Sequence, residues 1–284
     1  MITAILGGLG AAAAWTISTI CSSRSSRIID PASVVGWVML GGFVIAVPLA
    51  LAHGVPAALD GSAGAWLALA GAGNVGGLLL AYLAMRAGRV ALVAPVLSSE
   101  GAMAALIAIL VGESIAPRVG VTLAVIVLGI ALAAIPGGSG GESDHHRHGH
   151  SIVFALGGAL AFGASLYAAG RAGSALPTAW VAAAARLVGV PVLALPLALS
   201  GRLRLTRTAA PLVLVSGITE VLGFYSYTTG ARHGIAIAAV ISSQFGALAA
   251  LVGFLAFGER LSRVQICGVA TTVAAVAVLS ALQA

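Results

Sequence analysis

Long apolar windows separated by short breaks leave this chain few ways to fold. We read ten such windows, at residues 2–21, 33–52, 64–84, 90–111, 118–136, 152–170, 178–199, 210–229, 234–257 and 264–283. A helix needs about 20 apolar residues to cross a bilayer. Lipid offers the backbone no hydrogen-bond partners, so a spanning segment must be a helix or part of a closed barrel. The alternating pattern of barrel strands is absent. The windows therefore predict an all-α membrane protein with ten transmembrane helices. Composition agrees: 8% of the residues are charged, against about 25% in a soluble domain, whose surface must face water.

All 14 basic residues are arginine, and the formal charge is +6. Most of them lie in the short breaks, so there is no basic stripe on a folded face and no nucleic-acid partner is expected. In a membrane chain, loop arginines report orientation instead. Cys21 and Cys267 stand singly, in no disulfide or zinc-ligand spacing. The first window lacks a basic leader and reads as a retained helix rather than a removed signal.

The one long polar break, residues 137–151, is rich in Gly, Ser and His and predicts a flexible linker. It falls near mid-chain, and a weak repeat surrounds it. A shift of 146 residues superposes Pro31 on Pro177, Arg86 on Arg232, Gly88 on Gly234, and Gly112-Glu113 on Gly258-Glu259. The opening helices match as Leu6-Gly7-Gly8 and Leu156-Gly157-Gly158. The chain thus divides into a five-helix repeat over 1–136, the linker 137–151, and a second five-helix repeat over 152–284. Five is odd, so the second half must enter the membrane inverted. Loop arginines fit: Arg24, Arg27, Arg86 and Arg89 follow the odd-numbered helices of the first half, while Arg202, Arg204, Arg207, Arg260 and Arg263 follow helices seven and nine. Inverted repeats are typical of secondary transporters, which bind substrate near the midplane between the repeats.

These halves, each with Gly-Glu after its fourth helix, resemble the EamA family of the drug/metabolite transporter superfamily. The second half carries the closer match, with Gly258-Glu259-Arg260-Leu261-Ser262, then Gln265 and Gly268. Arg186, nine residues after Pro177, resembles the arginine in the second helix of a family half. The first half has Leu40 and Thr122 at the places matching Arg186 and Gly268. The resemblance implies a multi-pass carrier in the cell inner membrane, commonly an exporter of amino acids, metabolites or drugs. It also implies a small-molecule substrate, admits a homodimer and requires no cofactor.

Three charged residues fall well inside the windows: Glu100, Arg186 and Glu220. A charge at mid-membrane costs roughly 2.5–3.5 kcal/mol on insertion scales, and such residues face a bundle interior or a wet cavity. The functional reading is a substrate or proton site; the structural reading is an ion pair of Arg186 with either acid. Asn74 falls on Glu220 at the repeat shift, and Gln244 lies near the centre of the ninth window. We therefore expect a midplane cluster of Asn74, Glu100, Glu220 and Gln244 with Arg186 beside it. Hydrogen bonding between helices is the plainer role for the two amides. Phe224 and Tyr227 stand at i+4 and i+7 from Glu220, on one helical face. Rings beside a carboxylate suit a cationic or amino-bearing substrate, though the same spacing serves helix packing. A carboxyl group in such a site can exchange its proton against substrate.

His145, His146, His148 and His150 are weak candidate metal ligands on the linker. They support a metal-exporter reading on composition alone. A lipid or lipid-linked sugar transporter is the stronger alternative, to be told apart by a lateral opening to lipid. No motif of an intramembrane enzyme is present, so no catalytic residue is assigned. The glycines in the windows allow close helix approach, and Pro48, Pro95, Pro191 and Pro196 are candidate kink points. Orientation stays open. The positive-inside rule places both termini outside, whereas the resemblance implies termini inside.

Overall fold

The computed structural model describes residues 2–57, 59–112, 117–135, 142–173, 176–231, 241–242, 244–258 and 261–282. Among these residues the chain is all-helical. Its helices are α1 (Ile2–Ile28), α2 (Pro31–Ala52), α3 (Gly61–Ala87), α4 (Val90–Leu97), α5 (Glu100–Leu110), α6 (Pro117–Ala134) and α7 (Glu142–Gly173). There follow α8 (Thr178–Gly189), a π turn (Val190–Ala194), α9 (Leu195–Leu199), α10 (Ala209–Ala231), α11 (Phe245–Phe257) and α12 (Arg263–Leu282). Six of the described segments are long and apolar enough to cross a membrane: Ile5–Ile28, Pro31–Ala52, Gly61–Ala87, Gly149–Ala169, Thr178–Leu199 and Ala209–Tyr227. Their outward side chains are apolar too; Leu199 is 80% and Val44 71% exposed, as a lipid-facing surface requires.

Local chemistry sets the helix ends. Asp30 caps α2, accepting from the Ser33 N–H at 2.8 Å and the Ser33 hydroxyl at 2.7 Å, with Pro31 in the first helical turn. Asp60 caps α3 through the Ala63 N–H at 2.7 Å. The repeat-related glycines share a special backbone: Gly112 has φ +99° and Gly258 φ +63°. Glycine reaches this left-handed region without a Cβ clash, which explains the family mark at these helix ends. Their partners Glu113 and Glu259, like Arg232 and Gly234, lie outside the described residues.

Several boundaries differ from the sequence reading. α1 runs seven residues past the first window, and two of the serines there are satisfied within the helix. Ser25 Oγ donates to Ser22 O and Ser26 Oγ to Ser23 O, at 3.2 and 3.0 Å. Helicity also reaches back into the expected flexible linker, since α7 begins at Glu142. The fourth window is two helices, broken at Ser98–Ser99, three residues after Pro95. The seventh contains the π turn around Pro191, whose missing N–H breaks the α-helical ladder.

The packing exchanges the two halves. α1 lies against α10 and α3 against α7, the two most extensive helix contacts, each joining a first helix of one half to the third of the other. Both pairs are antiparallel. Along α1 and α10, Gly7 meets Gly230, Gly223 meets Trp15, and Ser22 meets Ser216. Along α3 and α7, Gly73 meets Ser165, Gly77 meets Phe162, and Gly88 meets Ser151. Counterpart helices also meet: α2 packs on α8, α4 on α11, and α6 on α12. α2 and α8 run antiparallel, with Ala46 and Ala50 near Ala179 and Ala183 at one end and Met39 on Gly189 towards the other.

The largest apolar core sits at one end of the bundle. It joins Val34, Val38 and Met39 of α2, Tyr82 and Met85 of α3, Leu92 of α4, Ile152 of α7 and Val213 of α10. Arginine-bearing breaks close that end. Arg27 donates to Gly88 O at 2.8 Å, Ser33 Oγ to Arg202 O at 3.3 Å, and Trp37 Nε1 to Arg204 O at 3.0 Å.

Candidate transport site

Above that core lies a group of interior polar side chains. Arg186, on the last turn of α8, is 2% exposed. Its Nη2 stands 4.0 Å from Glu220 Oε1 on α10. Nη1 donates weakly to Ala182 O at 3.4 Å, while Nε and Nη2 make no hydrogen bond. The guanidinium fits there because α2 presents a glycine: a Cβ on Gly42 would lie 2.7 Å from Nε. The site thus holds a buried cation and an acid at ion-pair distance, with two guanidinium nitrogens lacking an acceptor. Burying such donors is costly.

Glu220 is 16% exposed. Glu100 is the first residue of α5, half-buried, and its charge repels that of Glu220 across the interior. Gly163 of α7 packs on the α5 backbone at Glu100 and Ala104 and on the Met103 side chain, which holds this acid in place. Tyr227 interacts with Glu100 and packs on Trp15, with ring centroids 6.2 Å apart. Trp15 in turn meets Phe245 edge-on at 6.1 Å. Phe224 is half-buried one turn beyond Glu220. Tyr225, not Phe224, is the ring of this turn that interacts with Arg186.

Asn74 lies on α3 between Gly71 and Val75, which pack on Val188 and Gly189 of α8. Its Oδ1 is buried without a hydrogen bond. Tyr82, two turns further along α3, is the residue of this helix that interacts with both Glu220 and Arg186. Gln244 stands at the start of α11, half-buried, with no side-chain bond to the helix end. A Cβ on Gly246 would lie 2.6 Å from Ser98 Oγ, so α11 starts beside the α4–α5 break. Gln244 and Glu100 each stand two residues from that crossing.

Sequence reasoning singled out Arg186, Glu220 and Glu100 and missed Tyr82, Tyr225 and Trp15. Tyr82 carried a faint signal, standing at i+8 from Asn74 on one helical face. Trp15 carried none, because its partners lie in the other half. His150 is exposed and stacks on Phe154 at 6.5 Å; the side chains of His145, His146 and His148 lie outside the described residues. Among the described residues no three His, Cys, Asp or Glu side chains converge as metal ligands.

The EamA-like transporter family matches this chain twice, over residues 2–135 and 150–281. The chain belongs to the EamA-like transporter family. It is a multi-pass membrane protein of a family that moves small molecules across membranes. The two matched segments are the two repeats, and they leave 136–149 between them. A solved crystal structure of a protein, 20% identical, aligns over 98% of this chain and 96% of its own with a TM-score of 0.66. That likeness speaks for the fold. No curated protein matches the chain.

Proposed function

We propose that this EamA-like protein is a proton-coupled secondary exporter of small amino-bearing metabolites, amino acids or drug-like cations, working by alternating access in the cell inner membrane. The single observation behind this reading is the interior pair of Arg186 and Glu220, 4.0 Å apart with unpaired guanidinium donors. A substrate's acidic group would take the Arg186 donors, while Glu220 and Glu100 receive its amino group beside Tyr227 and Trp15. A cation over an aromatic face adds attraction. Proton and substrate would then compete for the carboxylates. The antiparallel contacts of counterpart helices favour ten spans in two inverted halves rocking around this site.

Transport by the purified full chain in vesicles tests the proposal, with radiolabelled amino acids and a lipophilic cation as probes. Glu220→Gln and Glu100→Gln should abolish the response to an imposed pH gradient. Wild-type pH dependence in both variants would overturn the reading.

A further inference from the structure

A layer of hydroxyl groups lies between Glu220 and the arginine-bearing end of the bundle. Ser216 sits on α10 one helical turn from Glu220, towards that end. Its Oγ is 2.6 Å from Ser22 Oγ and 2.9 Å from Ser18 Oγ, both on α1. All three serines are buried. Beside Ser22 and Ser216 lies the hydroxyl of Tyr82, on α3, which is 2% exposed and makes no hydrogen bond of its own. The same tyrosine interacts with Glu220 and Arg186. Four hydroxyls from three helices thus lie between the interior acid and the closed end, three of them hydrogen-bonded to one another.

The apolar core gives this layer its meaning. Val38, Met39, Met85, Leu92 and Val93 are all at most 2% exposed, so bulk water does not reach Glu220 from that end. Towards the other end, Phe224 and Tyr227 are only half-buried. A proton crossing to the arginine-bearing side therefore needs a built route. Hydroxyl groups supply one because each both donates and accepts.

We propose that Ser18, Ser22, Ser216 and Tyr82 form the proton route between Glu220 and the arginine-bearing face. This rests on the reading of Glu220 as a proton-exchanging group. For uptake, a proton entering from the arginine-bearing face adds to a serine oxygen while that serine passes its own hydroxyl proton along the chain. Tyr82 receives a proton on its oxygen and gives its phenolic proton to the Glu220 carboxylate. The hydroxyls then reorient, and the net change is one proton from water bound to Glu220. Arg186 from α8 lies 4.0 Å from Glu220, Glu100 of α5 interacts with Glu220, and Tyr225 of α10 interacts with Arg186. The route variants leave all three in place.

Time-resolved infrared spectroscopy after a pH jump, on the full chain in lipid, reads protonation of Glu220 without any substrate. The carboxyl band lost in Glu220→Gln is assigned to Glu220. Tyr82→Phe and Ser216→Ala should slow the rise of this band by roughly tenfold or more, at unchanged final amplitude, as expected from losing one proton-relaying group. Ser216→Thr, which keeps a hydroxyl, should restore the rate. Tyr82→Phe removes only an oxygen without a hydrogen bond, so it tests the route even if Ser216→Ala fails to fold. Wild-type rates in both variants, with the Glu220 band present, would overturn the route alone. No pH-dependent band attributable to Glu220 would overturn the route and the proton-coupled reading together.

Discussion

Gly42 and Arg186 touch across the α2–α8 interface. A β-carbon on Gly42 would lie 2.7 Å from the Arg186 Nε and 3.2 Å from Val221 Cγ2. Glycine at this point of α2 leaves the space that the guanidinium fills beside Glu220. Gly42→Ala should push the guanidinium from its place, and overfilling a packed interior costs about 1–3 kcal/mol. Transport should fall more steeply than thermal stability. Comparing transport rate with the melting temperature in detergent checks this; equal losses would mark Gly42 as a packing residue only.

The Arg186–Glu220 pair should reveal itself in a double-mutant cycle. Arg186→Met leaves Glu220 buried beside no cation, a change that costs about 3–5 kcal/mol when a buried pair is broken. The double variant Arg186→Met/Glu220→Gln removes both charges. It should therefore be more stable than Arg186→Met, with a coupling energy of roughly 0.5–3 kcal/mol. Denaturant unfolding of the four proteins measures the cycle, and additive effects would show that the two groups do not interact.

Glycines that look alike in sequence should respond oppositely. A Cβ on Gly7 would lie 2.5 Å from the Gly230 Cα, backbone that cannot yield. Gly7→Ala should destabilise the α1–α10 contact by about 1–3 kcal/mol. Gly76 meets nothing within 4 Å, so Gly76→Ala should gain roughly 0.5–1 kcal/mol from helix propensity. The two melting temperatures should move in opposite directions.

Acid should loosen the start of α3. Hydrogen bonds from the Ala63 backbone and the Ser62 side chain hold the Asp60 carboxyl below its usual value of 3.8. A group depressed on folding adds stability above its unfolded value and loses it as pH falls through the folded one. The melting temperature of the wild type should therefore drop on acidification below about pH 4 relative to Asp60→Asn, which caps the helix without titrating. Parallel curves for the two proteins would refute this.

Apolar continuity marked the helices because lipid permits few alternatives, and the Gly-Glu pairs marked the end of the fourth helix of each half. Gly112 and Gly258 adopt the positive φ that ends those helices, whereas the caps at Asp30 and Asp60 emerged only in the structure. Where hydropathy misled, hydrogen bonding had intervened. Ser25 and Ser26 return their hydroxyls to carbonyls of their own helix, so a polar stretch stays helical and buried.

Arg186, Glu220 and Glu100 were legible as interior groups, because a charge inside an apolar window has few reasons to be there. Which of them pair was not. Arg186 and Glu220 are 34 residues apart, and only the crossing of α8 with α10 brings them to 4.0 Å. Ser22 and Ser216 meet at 2.6 Å through the contact of α1 with α10, and nothing near either serine announces the other. Sequence by itself determined that this chain is a helical membrane protein in two halves, because hydropathy and single-residue helix ends are local properties. Tertiary structure alone decided which side chains meet, because close packing between distant helices assigns each buried polar group its partner or leaves it without one.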